Sequence, residues 1–428
     1  MKSLFVLLLN THDRASGAEK LASQTANLLV KRGHKVRLYV RRIIDSIPSP
    51  STRCLGDGDL SLRLESKWRQ ITGLNDLLFI GSWRLIANQD FKKADIVHAF
   101  NLHSHYFSLP SIIPISRKKP FIWSPVDIWP ITGGCAYSRG CLRYYSGCGN
   151  CPHVKVIVPE LSRDTTRLMA RVRRIIYRRS KIHFLLHTDW LCEQYREVLG
   201  RQAWIRKLNY GVDPDEFHPV DKMSARRRFG VPDNSEVFCV GLFHSDLMDD
   251  RKGLVKFIMR LGQRISEFAR PIHFLVAGHQ GEEFKALVLK HFPLDITLTG
   301  YLMEDDLRLA YGAIDVLLFP TNEENMALTA INAMACSVPV ISSRAGGQGE
   351  LITDGKDGFL TPIVDMDPMI DKMFWLANNP EVCRRVGTEA RRTVLKHFNI
   401  HRYAEALEKV YLQLCNSGPF GKNGGHDS

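Results

Sequence analysis

The sequence predicts an α/β protein of two domains, each built on a mainly parallel sheet. Short apolar runs alternate with helical segments from residue 3 to residue 124, and the same alternation starts again after residue 236. This alternation is typical of parallel strands joined by crossover helices. The 428 residues, 44% of them apolar, suffice for two or three cores. Because ligands bind at the carboxyl ends of parallel strands, we expect the two sheets to face an interdomain cleft.

In the first half, strands and helices are predicted from apolar periodicity. The predicted elements are strands over 3–9, 36–40, 94–99 and 120–124 and a helix over 17–32. Gly33-His34 ends the helix. The apolar run at 4–9 is short and lacks a small-residue cleavage site, so it predicts a buried strand rather than an export signal. We therefore expect a cytoplasmic protein whose ten cysteines stay reduced.

In the second half, five short apolar runs predict the strands of another sheet. They cover 237–241, 273–278, 296–300, 316–320 and 338–342. Turn-forming residues at 209–214 mark the junction between the domains. The expected organisation is a first domain over 1–205, a second over 206–385, helices over 386–415 that pack back on the first domain, and a flexible tail over 416–428.

The loop after the first strand contains Gly17, directly before a helix. Glycine lets the backbone approach a ligand, and the helix N-terminus attracts phosphate. The alternative is that Gly17 only begins the helix. The G-x-G-x-x-G pattern of hydride-transfer cofactors is absent from this loop.

The segment 320–336 carries the strongest chemical signal. A strand ends at Phe319, an acidic loop follows, and Glu324 and Asn325 are predicted at the start of the next helix. A carboxylate there can accept hydrogen bonds from sugar hydroxyls, and the amides at Met326 and Ala327 can stabilise a diphosphate. A nucleotide sugar requires both groups.

This segment resembles the E-x7-E region of retaining GT-B glycosyltransferases of family 4, which have two Rossmann-like domains. Other motifs of that family appear in order, so the resemblance extends from residue 2 to about 415. They are Gly17-Ala18-Glu19, Asn209-Tyr210-Gly211-Val212-Asp213 with Phe217 and Pro219, Asp250-Arg251-Lys252-Gly253, Gly300-Tyr301 with Leu307 and Tyr311, and Ala345-Gly346-Gly347 with Glu350.

The resemblance implies a glycosyltransferase that moves a sugar from a UDP- or GDP-linked donor to a glycan or lipid-linked glycan. It implies retention of configuration, no metal or cofactor at the active site and a role in polysaccharide biosynthesis. The residues implied to act are Lys252 with Arg251 on the diphosphate, Glu324 on the donor sugar, Asn332 on the ribose, Gly17 at the phosphates and Asp127 at the acceptor hydroxyl.

Three departures from the family pattern leave other functions open. Asn332 replaces the second glutamate, and Val126 stands where a histidine precedes Asp127. The arginine five residues before the lysine-glycine turn is also missing, a role that Arg251 can take over. The alternatives are a catalytically inactive glycosyltransferase-like scaffold and a sugar-nucleotide epimerase.

A cysteine-rich loop over 132–152 predicts a structural zinc site. Its ligands would be Cys135, Cys141, Cys148 and Cys151, spaced C-x5-C-x6-C-x2-C. The alternative is reduced cysteines packed in a loop, because only the last spacing is familiar for zinc ligands. The loop also resembles one in family 4 enzymes that build bacterial surface polysaccharides.

The net charge of +13 indicates anionic partners. The basic run 163–181 has helical spacing and predicts contact with the anionic inner face of the cytoplasmic membrane, or a solvated helix face. Nucleic-acid binding is disfavoured because no recognition motif accompanies the charge. His98 and His103 can each be structural, and Asp127 can cap a helix instead of binding an acceptor.

Overall fold

The computed structural model describes residues 3–13, 17–44, 49, 51–55, 59–157, 163–234, 236–268, 270–291 and 294–416. The chain forms two compact units: Met1–Leu208 with Ala404–Ser428, and Asn209–Tyr403. All but the first residue of the predicted tail, 417–428, lies outside the described residues. Within the described ranges, no helix combines the length and apolar character needed to cross a bilayer.

The first unit contains a seven-stranded parallel sheet in its described part, in the order β3-β2-β1-β4-β5-β6-β7. The strands are β1 (Phe5–His12), β2 (Lys35–Arg42), β3 (Thr52–Cys54), β4 (Ile96–Ala99), β5 (Phe121–Trp123), β6 (Ile182–Leu186) and β7 (Trp204–Lys207). The helices are α1 (Gly17–Lys31), α2 (Asp59–Thr72), α3 (Ile80–Leu85), α4 (Gln89–Lys93), α5 (Ile112–Lys118), α6 (Val154–Ile157), α7 (Thr166–Arg179) and α8 (Asp189–Leu199).

The second unit contains a six-stranded parallel sheet in its described part, in the order β10-β9-β8-β11-β12-β13. The strands are β8 (Phe238–Asp246), β9 (Ile272–His279), β10 (Asp295–Gly300), β11 (Val316–Phe319), β12 (Val340–Ser343) and β13 (Phe359–Thr361). The helices are α9 (Lys222–Phe229), α10 (Leu254–Arg264), α11 (Gly281–His291), α12 (Glu304–Ala313), α13 (Leu328–Ala335), α14 (Gln348–Leu351), α15 (Asp367–Ala377) and α16 (Pro380–His397). The last helix is α17 (Ile400–Asn416).

The predicted α/β class with parallel sheets is confirmed, and each apolar run became a strand. β8 is longer than predicted, since it continues through His244 to Asp246. The short strands β3, β6, β7 and β13 were not predicted; β3, β7 and β13 lie at sheet edges.

Each sheet has one point at which the strand order reverses. It lies between β1 and β4 in the first unit and between β8 and β11 in the second. The loops that leave adjacent strands at such a point diverge, which opens a crevice for ligands. Candidate site residues are therefore expected in the loops after these four strands.

The helices over 386–415 do not all pack on the first domain as predicted. Residues up to Tyr403 cluster with the second unit, where α16 packs against α13 and α15. A Cβ atom at Gly387 would lie only 2.0 Å from the carbonyl oxygen of Ser337, so glycine permits this close approach. Only Ala404 and the residues after it cluster with the first unit.

Helix α17 is anchored in the first unit by buried polar contacts. Glu408 bonds to Arg32 Nη2 at 2.5 Å and to His34 Nε2 at 3.1 Å. Burial alone would raise the pKa of Glu408, but Arg32 and His34 hold it below its ordinary value. His98 contacts the Tyr411 hydroxyl at 2.6 Å through Nδ1, and burial lowers its pKa to about 3. His98 is therefore a neutral structural histidine.

Replacing Glu408 by glutamine removes the negative charge from this anchor and leaves Arg32, among the described residues, with only the distant, exposed carboxylate of Glu405 as a countercharge. We expect Glu408→Gln to lower the free energy of unfolding by about 1.5–3 kcal/mol, measured by urea denaturation. Glu405 is the matched control, because it is exposed and lies 3.9 Å from Arg32. Glu405→Gln should change stability by less than about 0.5 kcal/mol; equal losses in both variants would contradict the anchor.

Candidate functional site

In the second unit, the loops after β8 and β11 are joined by hydrogen bonds. The backbone N–H of Asn322 donates to the carbonyl of Arg251 at 2.8 Å, and its side-chain amide donates to the carbonyl of Asp250 at 3.0 Å. Because β8 and β11 are neighbours, these bonds fix the two loops at the point where the strand order reverses. The loops carry most of the residues predicted to bind the donor.

Lys252 and Glu324 form a buried ion pair with 2.8 Å between Nζ and Oε2. The same carboxylate oxygen lies 3.4 Å from Arg251 Nη1. Arg251 also donates to the carbonyl of Glu323 at 2.9 Å and lies 3.4 Å from the carboxylate of Asp249. The structure thus brings together the three charged residues that the sequence predicts at the donor.

The electrostatics of this cluster favour an ionised Glu324. Burial opposes its ionisation, but the charges of Lys252 and Arg251 outweigh burial and hold the pKa of the carboxyl below its ordinary value. Because the folded pKa is lower than the unfolded one, the pair stabilises the protein at neutral pH. That stabilisation is lost as the pH falls through the lowered pKa.

Two glycines with left-handed backbone conformations hold the loops in contact. Gly253 has φ +67°, and a Cβ atom there would lie 2.0 Å from the carbonyl oxygen of Pro320. Gly346, after β12, has φ +57°, and its Cβ would lie 1.8 Å from the carbonyl oxygen of Glu324. The N–H of Gly347 donates to that same oxygen at 3.1 Å. The backbone of Glu324 is therefore fixed from a third loop.

The helix after this loop begins later than predicted. α13 starts at Leu328 with Ala327 as its N-cap, so Glu324 and Asn325 lie in the preceding loop rather than in the first turn. The carbonyls of Glu323 and Glu324 are already bonded to Arg251 and Gly347, which holds this segment out of the helix. Met326 is also fixed there, since the hydroxyl of Tyr210 donates to its carbonyl.

His244 belongs to this site, although the sequence did not predict a role for it. It is 5% exposed, stacks on Phe319 with 4.8 Å between ring centroids, and lies beside Lys252 and Arg251. Burial, reinforced by those two charges, lowers its pKa far below 6.5. Neither ring nitrogen has a hydrogen-bond partner in the described part of the chain. The sequence feature that could have identified His244 as a site residue is a histidine at the carboxyl end of a buried strand.

Two further buried amides lack some of their partners among the described residues. Asn332, one turn into α13, is 8% exposed and its Oδ1 has no partner, while its side chain interacts with the Tyr311 hydroxyl. Gln348, at the start of α14, is fully buried and neither of its amide atoms is bonded. Buried amides of this kind are available for hydrogen bonds to a ligand.

In the first unit, Asp127 follows β5 and pairs with His103, which follows β4. Its Oδ2 lies 3.4 Å from His103 Nε2, and its Oδ1 accepts the N–H of Trp129 at 2.9 Å. Asp127 thus caps the short turn at 129–131 and also binds an imidazole. Val126 removes the usual histidine, but an imidazole from another loop lies beside Asp127.

The remaining predicted positions lie in the first unit. Helix α1 begins at Gly17, while residues 14–16 of the preceding loop lie outside the described residues.

The cysteine-rich loop brings Cys135, Cys141, Cys148 and Cys151 to the wall of one small cavity. In the basic run, Arg173 is not on a solvated or membrane-facing surface as the run implied, because it is 1% exposed and lies 3.8 Å from the Trp129 ring.

Comparison with known proteins gives matches whose range includes these residues. Residues 235–379, which contain Lys252, Glu324 and Asn332, match the family described as Glycosyl transferases group 1. The chain is 30% identical to a D-inositol 3-phosphate glycosyltransferase of Saccharomonospora viridis over 49% of this chain and 50% of that protein. It is 25% identical to an Escherichia coli K12 protein named as a colanic acid biosynthesis glycosyl transferase, WcaC, over 60% of this chain and 62% of that one. The matches thus span about half to three fifths of these relatives.

Among solved structures, Anabaena HepE in complex with UDP-glucose is similar in fold. The TM-score is 0.66 at 14% identity, and the alignment covers 96% of this chain and all of that one. The two Rossmann-like units, with parallel sheets of seven and six described strands, therefore define a GT-B protein. Residues 235–379 of its second unit are similar to the Glycosyl transferases group 1 family, in agreement with the glycosyltransferase resemblance seen in the sequence.

Gly346 tests whether the third loop fixes Glu324. An alanine there must adopt a left-handed conformation, which costs about 1–2 kcal/mol, and its Cβ would displace the Glu324 carbonyl. We expect Gly346→Ala to lower the free energy of unfolding of the second unit by at least that amount in urea denaturation. Gly349→Ala is the control, because a Cβ there meets nothing within 4 Å. If both variants unfold alike, the contact with Glu324 does not matter.

Proposed function

We propose that the protein is a retaining glycosyltransferase that moves a sugar from a nucleoside diphosphate sugar to a hydroxyl of a glycan or lipid-linked glycan. The observation that carries this proposal is the buried cluster of Lys252, Arg251 and Glu324 at the carboxyl ends of β8 and β11. Two cations and one carboxylate, held on rigid loops, match the two ends of such a donor: a diphosphate and a polyhydroxylated sugar.

The diphosphate and Glu324 compete for the same cations. A diphosphate carries more negative charge than one carboxylate, so Lys252 and Arg251 turn toward it when the donor binds. Glu324 is then released to accept hydrogen bonds from the sugar hydroxyls. The neutral ring of His244 supplies a further hydrogen bond to the donor. Oδ1 of Asn332, which has no partner among the described residues, accepts a hydrogen bond from the ribose.

In the reaction, the bond between the anomeric carbon and the diphosphate oxygen breaks, and both bonding electrons stay on the diphosphate. Lys252 and Arg251 neutralise that added charge, and Glu324 stabilises positive charge on the sugar ring. The acceptor oxygen bonds to the anomeric carbon on the same face, and its proton passes to the departing diphosphate oxygen. We assign Asp127, paired with His103, to the acceptor hydroxyl, and the N-terminus of α1 at Gly17 to phosphate binding.

The chemical classes of donor and acceptor follow the relatives. HepE was solved with UDP-glucose, which supports a nucleotide sugar as donor. The name of WcaC supports an acceptor from surface polysaccharide synthesis. Both UDP- and GDP-linked sugars carry the diphosphate that the Lys252 cluster fits, so either base is compatible with the proposal.

Lys252 and Glu324 provide the central test. Lys252→Met and Glu324→Gln remove one contact each to the transition state, so each should lower kcat by about 10²–10³. The assay measures nucleotide release from a panel of UDP- and GDP-sugars with a lipid-linked glycan acceptor. Lys256→Met is the control, because Lys256 is exposed on α10 one turn beyond the site; its turnover should equal that of the unsubstituted protein.

The same panel separates the alternatives. Nucleotide release that requires the acceptor, and that Lys252→Met and Glu324→Gln both lose, supports the transferase. Interconversion of two sugar nucleotides without release would instead show an epimerase. Absence of turnover with every donor would favour an inactive scaffold, and full activity of Lys252→Met would remove the assigned site.

We further propose that an exposed face of α7 lies on the anionic inner surface of the cytoplasmic membrane, near a lipid-linked acceptor. Leu168 and Ile175 are 47% and 45% exposed although both are apolar. They lie seven residues apart and therefore on one face, which also carries the exposed Arg171 and Arg178. Exposed apolar side chains between arginines are typical of helices that lie in a membrane interface.

Vesicle sedimentation tests this face. Each arginine near an anionic surface contributes about 1 kcal/mol, so Arg171→Gln with Arg178→Gln should lower the partition onto phosphatidylserine vesicles roughly 30-fold. The control removes the same charge from the second unit through Arg384→Gln with Arg385→Gln, both exposed on α16. Equal losses would show attraction by net charge alone, and equal binding to neutral vesicles would also refute membrane docking by α7.

A further inference from the structure

Four cysteines of the first unit line one cavity of about 20 Å³ in the loop before α7. They are Cys135, Cys141, Cys148 and Cys151, and each is a free thiol. Thr166, at the start of α7, forms part of the same wall. A cavity of this volume holds about one water-sized particle, so it fits a single ion and is too small for an iron–sulfur cluster.

The backbone of this loop adopts a costly conformation that orients the sulfur atoms. Cys148 and Asn150 have φ values of +62° and +49°, which non-glycine residues rarely adopt. The Sγ atom of Cys148 accepts a hydrogen bond from the N–H of Gly133 at 3.2 Å. Such a donor stabilises negative charge on sulfur and is a common outer contact of metal-bound ligands.

A buried cation beside the cavity lacks full compensation. Arg173 is 1% exposed, and its Nε and Nη2 atoms have no hydrogen-bond partner among the residues described. Its charge acts on Cys135 and Cys148 as well as on Asp76, whose pKa burial raises to about 7. An uncompensated buried charge is costly, so a negatively charged group at the cysteines would stabilise Arg173.

We propose that the four cysteines bind one zinc ion with tetrahedral sulfur coordination and that this ion is structural. Zinc with four thiolates carries a net charge of −2, which Arg173 partly offsets. Tetrahedral coordination places the sulfur atoms about 3.8 Å apart. Among the described residues no three of these atoms all lie within 4.8 Å of one another, so zinc binding draws the loop inward.

The site is connected to Asp127 through a short chain of contacts. Arg173 donates to the carbonyl of Thr132 at 2.8 Å and to that of Trp129. The N–H of Trp129 in turn donates to Asp127 at 2.9 Å. Zinc binding would therefore fix the turn that Asp127 caps, and so would position the residue assigned above to the acceptor hydroxyl.

Metal analysis of the full chain, purified under reducing conditions, tests the proposal. We expect about one zinc per chain, and at least a tenfold loss of zinc in the double variant Cys148→Ser with Cys151→Ser. Cys54→Ser is the control, because Cys54 is an exposed free thiol on β3; this variant should keep its zinc. Zinc content unaffected by the double substitution would overturn the assignment of these ligands.

Cobalt substitution of the unsubstituted chain gives a test that does not depend on the folding of the variants. Removal of zinc with a chelator and addition of Co²⁺ should give the visible absorption bands of tetrahedral thiolate coordination. Zinc added back should abolish these bands and restore the thermal midpoint lost on chelation. Iron with acid-labile sulfide, disulfides between these cysteines, or a purified chain without metal would each overturn the proposal.

Discussion

The buried ion pair between Lys252 and Glu324 is the interaction on which the second unit's site depends. Taking two opposite charges out of water is costly, and the pair persists because three loops determine its position. Gly253 and Gly346 allow backbones to approach more closely than any side chain would permit. The fold itself therefore positions this charged cluster, and the diphosphate proposed to bind there would replace one negative charge with another.

The architecture was readable from the sequence where apolar runs were long enough to show a period. Nine strands, which are β1, β2, β4, β5 and β8 to β12, and the helix before Gly33 follow from that pattern. The start of α13 does not follow from that pattern. Arg251 and Gly347 donate hydrogen bonds to the carbonyls of Glu323 and Glu324, which a helix beginning at Glu324 would have used. The sequence pattern predicted that the helix begins at Glu324 and Asn325. Because of the contacts with distant loops, it begins at Leu328.

The candidate site was predicted in part, and the gaps share one cause. Lys252 and Glu324 were identified from motifs, but nothing in their spacing shows that they contact each other. His103 and Asp127 are 24 positions apart and meet only because β4 and β5 are adjacent. No role was predicted for His244, and Arg173 was predicted to lie on a basic surface. The burial that gives each its chemical character is a property of the folded chain.

The contacts of Glu408 and Tyr411 make the first unit discontinuous along the chain. During synthesis on the ribosome, β1 to β7 emerge long before the residues that cover His98 and pair with Arg32. The whole second unit is translated in between and is free to fold first. The core of the first unit therefore stays incomplete until α17 has been synthesised and packs against it.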